Sequence, residues 1–167
     1  MRILVVSDTH KNLNRFWDVF EKLKRENPVQ MIVHCGDYYE DASAIRMRAG
    51  VPVTAVRGNC DAEVDQMLLN FDILRDCATI FLGGRRITAT HGHLFPLDPP
   101  PHSFPGDIYL YGHIHIPVIR QENGITLLNP GSITLPKQNS PHTYGLLDEN
   151  GFTIMTEDHE VYQSLAF

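Results

Sequence analysis

The first three apolar runs of this 167-residue chain each lead into a short polar motif, and helical periodicity separates the runs. Ile3 to Val6 is continuously apolar and rich in β-branched residues, as a strand buried on both faces should be, and it leads to Asp8-Thr9-His10. Leu13, Phe16, Trp17, Phe20 and Leu23 then recur at helical spacing between charged residues, with Asn12 or Asn14 as the expected cap and Pro28 past the end. Met31 to Val33 is a second strand and leads to Gly36-Asp37. Asp41 to Ala49 predicts a short helix closed by Gly50, and Val51 to Val56 is a third strand ending at Gly58-Asn59-Cys60-Asp61. Strand-helix-strand-helix-strand predicts a parallel α/β layer, in which ligands bind beyond the carboxyl ends of the strands.

The second half changes character. Ile73 to Leu82 and Arg85 to Thr90 flank Gly83-Gly84, and Val118 to Glu122 and Ile125 to Leu128 flank Asn123-Gly124, two hairpin signals. Tyr144 to Leu147 and Phe152 to Met155 predict a third hairpin, and Ile108 to Tyr111 is a further strand. A second, largely antiparallel sheet is expected, packed on the first as a sandwich with helices outside. Phe95 to Gly106 is Pro-rich and reads as a loop over the site mouth, while Glu157 to Phe167 carries no decisive pattern. Nothing splits the chain, so residues 1–167 are expected to form one domain.

Composition narrows the function. The formal net charge of −6 disfavours duplex nucleic acid, which is bound by neutralising phosphates. The start is too quickly polar for a signal peptide, and no apolar run approaches the ~18 residues of a membrane span. Cys35, Cys60 and Cys77 form no Cys-x-x-Cys pair, which argues against a disulfide framework or thiolate zinc site and for a reducing cytoplasm. The sequence permits a homo-oligomer without requiring one.

Five of the nine histidines lie in polar motifs, because His91-Gly92-His93 and Gly112-His113-Ile114-His115 follow the three motifs already named. Singly, each has an ordinary explanation. Asp8 or Asp61 can cap a helix, Gly-Asp and Gly-Asn are turns, and a histidine at a strand end is usually structural. His113-x-His115 would put two imidazoles on one face of a strand, as chelation requires. Together the motifs supply carboxylates, imidazoles and an amide that can converge on one edge, the side chains of a divalent-metal pair. Cys35 and Cys77 read as small buried hydrophobes, Trp17 and Phe20 as core-facing, and His34, His102, His142 and His159 as residues without evident partners. His34 could support the site from behind, and Tyr38 and Tyr39 fit a pocket or a helix equally well.

This ordered set resembles the calcineurin-like metallophosphoesterase superfamily, and most closely its small bacterial YfcE-type phosphodiesterases. Gly58 to Asp65, His91 to Phe95 and Asn129-Pro130-Gly131-Ser132 carry the subgroup likeness. The resemblance implies a four-layer α/β fold, a two-sheet sandwich flanked by helices. It implies one metal on Asp8, His10 and His115, another on Asn59, His91 and His113, and Asp37 as the bridge. Such ligands suit Mn first, with Ni, Fe or Zn as alternatives. The expected reaction is phosphodiester hydrolysis by in-line attack of a hydroxide held between the metals, with inversion at phosphorus. Two departures stand out. Cys60 replaces a histidine that serves many members as general acid, so protonation of a poor leaving group is in doubt and aryl esters should be favoured. Lys11 replaces a common glycine and is expected to face solvent. Asp61 would then support a ligand or a water, and His93 would contact phosphate or support the site. The rival activities are a phosphomonoesterase or nucleotide pyrophosphatase with the same metals, and a Vps29-like binding scaffold.

Overall fold

The structure, a computed structural model, describes residues 1–61, 75–94, 97, 100 and 102–167. Strands β1 (Ile3–Val6), β2 (Met31–His34) and β3 (Val53–Ala55) pair in parallel, connected by helices α1 (Asn14–Glu26) and α2 (Tyr39–Arg48). β4 (Cys77–Leu82), β5 (Arg85–Thr90), β6 (Ile108–Leu110), β7 (Pro117–Glu122) and β8 (Ile125–Pro130) form a second sheet in the order β4-β5-β6-β8-β7. The chain ends with β9 (Thr143–Asp148), β10 (Gly151–Thr156) and β11 (Val161–Ala166), which extend the first sheet to β11-β10-β9-β1-β2-β3.

Alternation along the central strands fills two cores. Ile3, Val5 and Val33 pack with Ile87, Ala89, Leu110 and Leu128 between the sheets. Leu4, Val6 and Ile32 point the other way, against Phe16 and Phe20 of α1 and Ile45 of α2. Each such side chain contributes ~1.5–3 kcal/mol of apolar burial. The outer face of the second sheet carries Tyr109, Tyr111, Ile125 and Leu127, with Leu97 and Val118 packed on them.

Register decides where the polar motifs emerge. Val6 pairs with His34, so Asp8 and Gly36, each two residues further on, are level, and Asp8 N–H donates to Gly36 O (3.2 Å). Ala89 pairs with Leu110 in the second sheet, so His91 and Gly112 are likewise level, and Gly112 N–H donates to His91 O (3.1 Å). Both sheets therefore release their motifs at the same edge.

The structure corrects several sequence expectations. The second sheet is mixed: β5, β6 and β8 run parallel, and only the flanking pairs are antiparallel. The third hairpin joins the first sheet instead, because Val5 pairs with Gly145, and Glu157 to Phe167 supplies its edge strand. The residue before α1 is Leu13, with no side-chain cap, and Asn12, one residue earlier, accepts through Oδ1 from the first helical N–H, that of Asn14 (3.3 Å). Cys77 is exposed, whereas Trp17 does pack against the helix-side core as expected, half-buried under the Arg48 guanidinium (4.2 Å). Ile73 and residues 62–65 lie outside the described residues, as do 95, 96, 98, 99 and 101 of the Pro-rich segment. Among the described residues no helix is long and apolar enough to cross a membrane.

Candidate metal centre

Six of the seven expected ligands come from loops that leave strand ends, Asn59 begins a single 3-10 turn (Asn59–Asp61), and five of the seven hold a left-handed backbone. Asp8, His10, Asp37, His113 and His115 have φ between 48° and 67°. Non-glycine residues keep such angles only where their surroundings impose them, and such strain gathers at functional sites. His113 and His115 are thus not on one strand face, as their spacing suggested; they lie past β6, turned inward by the loop. Two glycines make the close approach possible. A Cβ at Gly58 would stand 2.0 Å from Asp37 Oδ1, and one at Gly112 would stand 1.8 Å from Ser7 Oγ.

The ring hydrogen bonds fix which nitrogens face inward. His115 Nδ1–H donates to Leu135 O (2.7 Å), so the neutral ring turns the Nε2 lone pair toward Asp8 Oδ1 (3.1 Å) and His10 Nε2 (3.2 Å). His91 Nδ1–H donates to Cys35 O (2.8 Å), and its Nε2 faces Asn59 Oδ1 (3.0 Å) and Asp37 Oδ1 (3.3 Å). His113 Nδ1 lies 2.9 Å from the same Asn59 oxygen. Asp8 Oδ1 is buried and takes no hydrogen bond. Carboxylate and imidazole atoms crowded together in this way can share a cation. The ligand atoms of Asp8, His10 and His115 lie within 4.8 Å of one another, and so do those of Asp8, Asp37 and His91. Asp8 therefore belongs to both groups, which its expected place on one metal did not include.

These observations agree with the similarity to known proteins. The family model for the calcineurin-like phosphoesterase superfamily domain matches residues 1–151. The chain belongs to the calcineurin-like phosphoesterase superfamily. It is 35% identical to phosphodiesterase YfcE of Escherichia coli K12, over 99% of this chain and 98% of that protein. The solved structure of the E. coli YfcE phosphoesterase matches with a TM-score of 0.84 over 99% of both chains, at 32% identity. The probable metallophosphoesterase YsnB of Bacillus subtilis is 30% identical over 88% of this chain and 83% of its own. Vps29 of Entamoeba histolytica, solved with zinc, shares the fold with a TM-score of 0.67 at 21% identity, over 99% of both chains. Membership in this metallophosphoesterase superfamily implies divalent metal ions, and the two acceptor clusters are where this member can hold them.

The candidate site is braced from behind. Ser7 Oγ–H donates to Asp8 Oδ2 (2.6 Å), and His113 N–H donates to the same oxygen (3.0 Å). Ser132 Oγ–H donates to Asp8 O (2.9 Å) and accepts from Leu135 N–H (2.8 Å), while Asn129 Nδ2–H donates to Gly112 O (2.8 Å). Asn129 to Ser132 was visible only as a subgroup motif; this is its physical role. His34, set aside in the sequence, is fully buried. Gly36 N–H donates to its Nδ1 (3.3 Å), so Nε2–H donates to Thr9 Oγ1 (3.1 Å), and that hydroxyl donates to Asp41 Oδ2 (2.6 Å). This chain ties the β1 loop to α2. Neither His142 nor His159 lacks a partner: the first donates to Ile133 O (3.1 Å) and the second meets Tyr144 OH (2.9 Å).

Electrostatics follow from burial and pairing. Burial works to raise the Asp8 carboxyl, but the contacts with His115 and Ser7 outweigh it and hold it below the ordinary range. Asp8 in turn pushes His115 up. Burial pushes His10, His113 and His93 down, keeping them neutral and able to act as ligands or donors near pH 7. Burial also raises the Cys60 thiol, and Asp37 beside it adds to the effect.

The remaining expected residues take definite places. Asp61 accepts from Gly58 N–H (2.8 Å) and Tyr39 N–H (2.9 Å), joining the Asn59 loop to the start of α2. Cys60 is exposed, and its N–H donates to Asp37 Oδ1 (3.0 Å). The His93 ring stands 5.2 Å from that of His91, and its buried Nδ1 has no partner. Tyr38 meets His10 edge-on at 4.9 Å, and exposed Lys11 lies 5.2 Å from the Tyr38 ring centre. Lys137, which the sequence analysis passed over, is exposed beside the site with its N–H on His115 O (3.1 Å).

Proposed function

We propose that this chain is a metal-dependent phosphodiesterase, with Asp8, His10 and His115 holding one divalent ion and Asn59, His91 and His113 the other. Asp37 is the shared ligand, with Asp8 able to reach both sides. The observation that carries this is the convergence of Asp8 Oδ1, His10 Nε2 and His115 Nε2, with the other ring nitrogen of His115 committed to Leu135 O. A bound ion pair supplies a water of lowered pKa for attack and positive charge against the phosphoryl oxygens. Manganese suits the mixed imidazole and carboxylate set, and free thiols at Cys35, Cys60 and Cys77 fit a reducing cytoplasm.

The protein residues prepare this chemistry. Neutral His93 presents a ring nitrogen beside His91 and His113, where a phosphoryl oxygen of the substrate would lie. Cys60 keeps its proton and offers the leaving oxygen only a weak S–H donor, so good leaving groups are preferred. Asp61 positions Asn59 through the backbone. Displacement by water inverts phosphorus; retention in a chiral substrate would reject it.

The test is metal content together with hydrolysis of bis(4-nitrophenyl) phosphate after loading with manganese. Two bound ions per chain and turnover above the metal-only control are expected. Stoichiometric metal without hydrolysis of any diester would favour a binding protein instead.

A further inference from the structure

The metal centre has an apolar neighbour. Gly92 lies between His91 and His93, and Gly112 and Ile114 flank His113. These same three residues wall an open concavity of about 440 Å³, completed by Leu97, Tyr111, Val118 and Leu127. Tyr111 and Leu127 are buried in the apolar cluster on the outer face of the second sheet. A Cβ at Gly92 would stand 3.4 Å from both Leu97 Cδ1 and Tyr111 Cδ2, so any larger side chain there would encroach on this space. At the far wall the Arg120 guanidinium donates to Leu97 O (3.3 Å) and pairs with Glu122 (3.6 Å). Its charge is already answered by a carboxylate, which makes this end a poor seat for a second phosphate.

Exposed apolar residues also stand next to the site residues along the chain. Ile114 is 36% exposed between two histidines, Leu94 is 44% exposed directly after His93, and Leu135, whose carbonyl holds His115, is 49% exposed. Ile114 also walls the concavity, so an exposed apolar side chain joins it to the polar centre.

We infer that this concavity is the subsite for an aryl or alkyl arm of the phosphate ester, an assignment that rests on the phosphoesterase reading above. The phosphate sits at the ligand histidines, and the arm crosses Ile114 to lie against Tyr111, Val118 and Leu127. The substrate class is therefore an ester with an apolar arm, in preference to one carrying a second phosphate.

Calorimetric titration of the metal-loaded full chain with phenylphosphonate and methylphosphonate tests this, because both resist hydrolysis and differ in the arm. Phenylphosphonate is expected to bind ~10-fold or more tightly. Val118→Trp, which fills the concavity from β7, should bring the ratio within ~2-fold while metal content and methylphosphonate affinity stay at wild-type values. Ile114→Asn, at an exposed rim position, should lower the ratio part of the way. Equal affinities in the wild type, or a ratio that survives both substitutions, overturns the subsite. A chain that shows the phenyl preference but hydrolyses no diester keeps the subsite and loses the activity; one that hydrolyses diesters without the preference does the reverse.

Discussion

Asp8 and His91 are fully buried and His115 nearly so, whereas Asn59 and Cys60, beside His91 on the other side of Asp37, are open to solvent. The buried half is braced by Ser7, Ser132, Leu135 and the neighbouring His34 chain. The open half is held mainly by Asp61 and backbone contacts, and it lies beside the apolar concavity. The difference separates two tasks. A low-dielectric cluster of acceptors holds an ion tightly, because each group left unpaired there is costly. An open cluster leaves room for a substrate to approach.

The contrast fails at its centre if Asp37 is dispensable. Asp37→Asn should lower diester turnover by ~10²-fold or more, since even outer partners of metal ligands are worth ~10–100-fold. Near-wild-type turnover would overturn the shared-ligand assignment. The halves are then compared directly. Asp8→Asn should weaken metal affinity by ~10²-fold and Asn59→Ala by ~10-fold, read by competition with a chelating dye. Equal losses would erase the distinction.

The buried half should also be the acid-sensitive one. Burial lowers His34 from 6.5 to about 4. An unfolded chain then takes up that proton before the folded one does. Its contribution to stability is complete above about pH 6.5 and is lost as pH falls toward about 4, by at most ~3 kcal/mol. Urea denaturation of metal-free protein at pH 7 and 4.5 measures the loss, and His34→Gln should shrink it. A loss of the same size in the variant would assign the acid sensitivity elsewhere. The smallest effect belongs to the open half: Cys60→Ser should change aryl-ester turnover by less than ~3-fold, because the thiol gives little of the ~10²–10⁴-fold a general acid provides. With chemistry rate-limiting, rates should fall steeply as leaving-group pKa rises; a flat dependence would mean that another donor replaces the missing histidine.

The sequence was most legible where periodicity is local. The β1-α1-β2-α2-β3 order followed from apolar spacing, and the Gly83-Gly84 and Asn123-Gly124 turns joined the strands expected of them. It failed where a partner is distant. Tyr144 to Met155 reads as a hairpin in either sheet, and only the packing of Gly145 against Val5 and the Phe152 ring places it in the first. His34 showed no partner because Thr9 and Asp41 come from other elements. Cys77 looked buried because a free cysteine behaves as a small hydrophobe, yet it lies exposed on the edge strand β4.

The order and kind of the polar motifs, and hence a metallophosphoesterase chemistry, were determined by the sequence alone, because ligand type is a property of single residues and strand ends follow from short-range pattern. Tertiary structure decided which atoms meet: that Asp8 reaches both ligand groups, that the histidine loops turn left-handed to face them, and that an apolar concavity adjoins the open half. Those outcomes depend on strand register and close packing between residues as far apart as Asp8 and His115, which no local pattern encodes.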